Sequence, residues 1–120
     1  MKGVLILAHG SREDDTEKTM DSIACMVKKT LPGTIIETAY LQFRKCNLEN
    51  GLENLIHQGA DDILLIPYFL FSGVHIRHDI PAEIDSFLQN RKDVKITMGN
   101  TLGADHRLAE VLVDRIRQTL

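Results

Sequence analysis

Two short stretches of the sequence hold the side chains best suited to chemistry. One reads His9-Gly10-Ser11-Arg12 and follows the apolar run Val4-Leu5-Ile6-Leu7-Ala8. The other reads Ser72-Gly73-Val74-His75-Ile76-Arg77-His78-Asp79 and follows Ile63-Leu64-Leu65-Ile66 through Pro67. Neutral imidazole is the commonest metal ligand, and it exchanges protons near neutral pH. His9 and His75, facing each other across one crevice, could share a metal ion or pass a proton. A single histidine after a strand is ordinarily a cap or a solvated loop residue; two arriving at one edge point to a site. Arg12, Arg44, Lys45 and Arg77 supply cations for carboxylates, the arginines in bidentate fashion.

The elements that must bring these segments together follow from the apolar patterning. Short branched runs alternate with segments whose apolar residues recur three and four apart, the βαβ pattern. The runs are Val4 to Leu7, Thr34 to Leu41, Ile63 to Ile66 extending to Leu70, and Val94 to Met98. Between and after them, four stripes predict helices: Met20, Ile23, Ala24, Val27 and Leu31; Leu48, Leu52, Leu55 and Ile56; Ile80, Ile84, Phe87 and Leu88; and Leu108, Val111, Leu112 and Ile116. Ser11 with Asp14 suits a capping box for the first helix, and Asp79 with Pro81 suits the first turn of the third. His57 falls at the end of the second helix; His78 and His106 sit at the starts of the third and fourth.

Right-handed crossovers leave few arrangements for four parallel strands. The commonest is doubly wound, with order 2-1-3-4 and helices on both faces. Strands 1 and 3 are then neighbours at the switch point, and ligands bind beyond their carboxyl ends. His9 leaves strand 1 and His75 follows strand 3, so this α/β fold delivers both to one crevice. Gly73 permits close approach to a flat ligand. Phe69 and Phe71 should face one way and Leu70 the other, with core packing as the default for the aromatics.

The 120 residues, 43% hydrophobic and 26% charged, suffice for one domain spanning 1–120. A net charge of −3 offers no broad basic surface for nucleic acid. The apolar run before His9 is too short for a signal peptide, and none is long enough for a membrane span. A cytoplasmic protein is expected, with Cys25 and Cys46 as ordinary thiols.

Four blocks, His9-Gly10-Ser11-Arg12, Pro67-Tyr68-Phe69-Leu70-Phe71-Ser72-Gly73-Val74-His75, Asp79-Ile80-Pro81 and Leu102-Gly103-Ala104-Asp105, resemble the small CbiX-type sirohydrochlorin chelatases over essentially the whole chain. The resemblance implies a metal chelatase that inserts cobalt, iron or nickel into sirohydrochlorin, with no cofactor beyond the divalent metal substrate. His9 and His75 match the family's metal-handling and catalytic histidines. Leu70, Phe71, Ser72, Gly73 and Val74 match its substrate loop, joined by a polar or basic position near Lys45. Relatives of double length carry two lobes in one chain, so a single lobe implies a homodimer. Many longer relatives end strand 2 with a glutamate, whereas this chain reads Tyr40-Leu41-Gln42-Phe43.

Three other readings compete. A phosphocarrier of the sugar-transport type would accept a phosphoryl group on His9, but it leaves His75 unexplained. A phosphatase working through phosphohistidine would want arginine immediately before the first histidine, and here that residue is Ala8. A non-catalytic carrier of metal or tetrapyrrole would bind without turning over.

Overall fold

The computed structural model describes residues 1–73 and 78–120. Strand and helix alternate as β1 (Lys2–Ala8), α1 (Asp15–Thr30), β2 (Ile35–Tyr40), α2 (Leu48–His57), β3 (Asp62–Pro67), α3 (Ile80–Leu88), β4 (Lys95–Met98) and α4 (His106–Thr119). The strands form one parallel sheet in the order β2-β1-β3-β4, as expected. Ala8 lies opposite Tyr40 and Leu7 opposite Pro67, so β1, β2 and β3 end level with one another.

The continuous apolar run of β1 is buried from Gly3 to Ala8 because the strand is central and covered on both faces. Its side chains alternate. Leu5 and Leu7 pack with Leu52 and Leu55 of α2, Leu65 of β3 and Ile80 and Ile84 of α3. Val4, Ile6 and Ala8 point the other way, toward Met20 of α1 and Ile36 and Tyr40 of β2. Asn47 starts α2 by accepting a hydrogen bond from the Asn50 N–H at 2.9 Å. It thereby satisfies one of the orphan donors at the helix end.

Three local expectations change. The Ser11 capping box does not form: α1 begins at Asp15, and Asp14 makes no capping side-chain bond. The Ser11 hydroxyl instead bonds the Thr16 hydroxyl and accepts from the Glu13 N–H, folding the first four residues after His9 into a turn. Strand β3 stops at Pro67 rather than running to Leu70. Its partner β1 ends at Ala8, and past Pro67 the Tyr68 N–H still donates to the Leu7 carbonyl of β1. The stripe on α4 does form, yet no residue of α4 is buried.

Candidate functional site

Hydrogen bonding between the exits of β1 and β2 continues past the strands. Leu41 N–H donates to Ala8 C=O at 3.0 Å, and Gln42 N–H to His9 C=O at 3.2 Å. That zipper requires glycine next to His9. Gly10 has φ of +93°, and a Cβ there would collide with the Gln42 carbonyl oxygen. The two loops are therefore pressed together, and the Gln42 side chain lies against the histidine, Nε2 to Nε2 at 3.0 Å. Either the amide N–H donates to an unprotonated Nε2, or the amide is turned and its oxygen accepts from Nε2–H. In both cases the ring is oriented by a neutral partner that adds no charge.

His9 is exposed and opens onto a cavity of about 450 Å³, within the usual size for small-molecule sites, roughly 300 to 1,000 Å³. Leu41 and Gln42 line it from the β2 exit, Phe69, Phe71 and Gly73 from the β3 exit, and Asp79, Ile80 and Glu83 from the start of α3. The Phe69 ring meets the imidazole edge to face, with centroids 6.1 Å apart. Phe69 also packs against the core, whereas Phe71 is 80% exposed. Phe71 is thus a cavity wall rather than the core residue its type suggested. Leu70 faces the opposite way, into a cleft along α4, so the predicted alternation survives although the strand has ended.

The cations are placed differently from one another. Arg12 lies over the Phe43 ring, 4.8 Å from its centroid, bridging the β1 and β2 exit loops at the rim. Phe43 holds φ of +67°, a costly conformation for an aromatic residue. Arg44, expected at the substrate, turns toward α1. Its Nε donates to Glu17 at 2.8 Å, and its other nitrogens reach Asp14 and the carbonyls of Ser11 and Glu13. Hydrogen bonding to Glu17 raises its pKa above the ordinary arginine value. Arg44 therefore staples the β2 exit to α1, its charge met by carboxylates of this chain. Lys45 and Ser72 are exposed. Val74, His75 and Arg77 lie outside the described residues, and the expected facing of His9 and His75 lies outside them too.

The remaining histidines are not among the residues lining the cavity. His57 ends α2, and His106 pairs with Glu110 at 3.0 Å on α4. His78 is exposed just before α3. Cys46 donates to the Thr38 carbonyl, and burial pushes its thiol pKa up, the behaviour of an inert thiol. Among the described residues no three of His, Cys, Asp and Glu are grouped to hold a metal, and no helix is long and apolar enough to cross a membrane.

Sequence reasoning gave no site role to Asp79 and Glu83 and left Gln42 without a partner. The carboxylates had a readable signal: they are four apart, hence on one face of a helix that begins immediately after the β3 exit. By sequence Gln42 stands only near the strand 2 glutamate of longer relatives, and its contact with His9 is not readable there because it depends on the pairing of two loops beyond the strand ends.

The CbiX family model matches residues 3–119 of the chain. A sirohydrochlorin ferrochelatase of Priestia megaterium is 34% identical over 99% of this chain and 45% of its own length. The chain thus spans less than half of that relative. A sirohydrochlorin cobaltochelatase of Saccharolobus solfataricus is 32% identical, with 99% of this chain and 96% of its own length covered. Among solved structures, the sirohydrochlorin chelatase SirB of Bacillus subtilis subspecies spizizenii, in complex with cobalt, superposes with a TM-score of 0.88 at 25% identity, over 98% of this chain and 50% of SirB.

Proposed function

Because the chain belongs to the CbiX family, we propose that it inserts a divalent metal, cobalt in preference to iron or nickel, into sirohydrochlorin. The observation that carries this reading is His9 at the carboxyl edge of β1, opening onto an aromatic-walled cavity of about 450 Å³. The phosphocarrier alternative is not favoured, since the relatives described are sirohydrochlorin chelatases.

Insertion exchanges two pyrrole N–H protons for one divalent ion, with no change of oxidation state. The ion must shed water, and two bases must take the protons. His9 and His75 bind the ion weakly as imidazoles, leaving positions open from which it passes to the four ring nitrogens. When not ligating, His9 accepts a pyrrole proton, and its orientation by Gln42 keeps the ring aimed. Glu83 and Asp79, on the wall formed by α3, offer the second proton acceptor within the same cavity. Phe69 and Phe71 give the flat face of the macrocycle an apolar floor.

The peripheral carboxylates of the substrate meet Arg12, Lys45 and Arg77, so the local field rather than the net charge decides anion binding. Arg44 holds the loop that presents Arg12 and Lys45. Ser72 and Gly73 approach the ring from the β3 exit, Val74 is assigned to the same substrate loop by the family resemblance, and Leu70 is turned from the ring. The active unit is a cytoplasmic homodimer, in which a second lobe roofs the ring that one lobe floors.

Anaerobic absorption spectra with sirohydrochlorin and excess metal test the proposal. Repeated turnovers above the uncatalysed rate are expected with at least one of cobalt, iron and nickel. A non-catalytic carrier would stop after one equivalent.

A further inference from the structure

Three consecutive residues at the β2 exit each hold a different part of the β1 exit. Gln42 reaches the His9 ring at 3.0 Å. Phe43 carries Arg12, whose Cζ stands over the ring, 4.8 Å from its centroid. The Arg44 Nη1 donates to the carbonyls of Ser11 at 3.4 Å and Glu13 at 3.2 Å, the residues on either side of Arg12. In extended chain neighbouring side chains alternate between two faces, so three in a row cannot serve one neighbour. The φ of +67° at Phe43 supplies the coil that lets them do so. Glycine takes that conformation without strain, whereas for an aromatic residue it is an outlier. What phenylalanine contributes there is its ring, which is 52% exposed and lies beneath Arg12.

Arg12 also differs from other arginines in what it touches. Arg44, Arg91 and Arg107 each meet a carboxylate of this chain. Among the described residues, Arg12 meets the Phe43 ring and no carboxylate within ion-pair distance. A ring face steadies a guanidinium without consuming its N–H groups, which lie in the guanidinium plane and stay open to the two oxygens of a carboxylate. Holding a long side chain in place beforehand also removes part of the ordering cost of binding.

We propose that Phe43 is a positioning residue that sets Arg12 as a preformed fork for one peripheral carboxylate of the macrocycle, while Arg44 braces the backbone on both sides of that arginine. Gln42 aims the imidazole and the next residue aims the fork, so one short segment sets the spacing between the group that meets the metal or proton and the group that meets the substrate's edge. The proposal rests on the chelatase reading for the identity of the anion alone.

The test measures the dissociation constant of metal-free sirohydrochlorin, by quenching of its fluorescence, alongside KM and kcat for chelation with cobalt. Phe43→Leu keeps the apolar bulk and removes the ring, and Phe43→Gly removes the ring while also relieving the backbone, so the ring is tested apart from the fold. Arg12→Met should weaken binding about 10-fold, and each ringless variant about 3-fold, the size of an exposed cation–π contact. The effect falls on KM and not on kcat, and Phe43→Tyr, which retains a ring, stays within about 2-fold of the parent. Because Phe43 acts through Arg12, adding either ringless change to Arg12→Met weakens binding no further. Unchanged binding in the ringless variants, or losses that add to that of Arg12→Met, overturns the proposal. The two readings fail separately. A parent that chelates while the losses add keeps the chemistry and loses the positioning role; a parent that binds sirohydrochlorin with coupled losses but turns over no metal does the converse.

Discussion

The role proposed for His9 requires a ring that can change partners. Its ring touches an amide and an aromatic ring, neither charged, so neither contact ties it to an ionic partner. His9→Ala and His75→Ala should each lower chelation by about 10² to 10⁴ while the fold remains, since loss of general acid–base action has that size. Two folded variants with near-normal rates would remove both residues from the site. Gln42 provides a sharper probe. Gln42→Glu places a carboxylate against the imidazole, favouring its protonated form over the neutral one that ligates or accepts a proton. The acid limb of the chelation rate should therefore move to higher pH. A pH–rate profile superimposable on that of the parent would show that Gln42 does not act through His9.

The elements explain why these residues meet. The zipper of Leu41 and Gln42 onto Ala8 and His9 exists only because position 10 has no Cβ. Gly10→Ala must shift the loops apart or strain them. The positive φ alone costs about 1 to 2 kcal/mol, and the clash with a backbone oxygen adds to it. A lower urea midpoint together with a loss of activity exceeding the loss of folded protein is expected; a variant matching the parent in both would contradict the zipper. The strand order and the arrival of His9 at the crevice were legible beforehand, because continuous apolar runs and right-handed crossovers leave few alternatives. The alternation of Phe69, Leu70 and Phe71 was legible too, though the strand ends at Pro67. The start of α1 was not: Ser11 has a capping residue's composition, but Thr16 takes its hydroxyl. Nor was the turning of Arg44 toward Glu17, which depends on where a loop meets a helix. The exposure of α4 is a tertiary fact, because an amphipathic stripe reads the same whether or not its own sheet covers it.

For the whole molecule, the proposed function has one lobe offering the substrate a floor and one rim. If two copies complete the site, specific activity should fall on dilution in step with the loss of dimer in sedimentation runs. Full activity per chain from monomers would remove the second copy from the account. The central claim is the chemistry itself. The most direct measurement mixes a small amount of protein, without oxygen, with a large excess of sirohydrochlorin and of cobalt, iron or nickel in turn, and follows the macrocycle absorption. The account predicts many equivalents of metallated product per chain with at least one metal, faster than in protein-free controls, and loss of the excess rate with His9→Ala. Product that stops at one equivalent, or a rate equal to the protein-free control with all three metals, would contradict it.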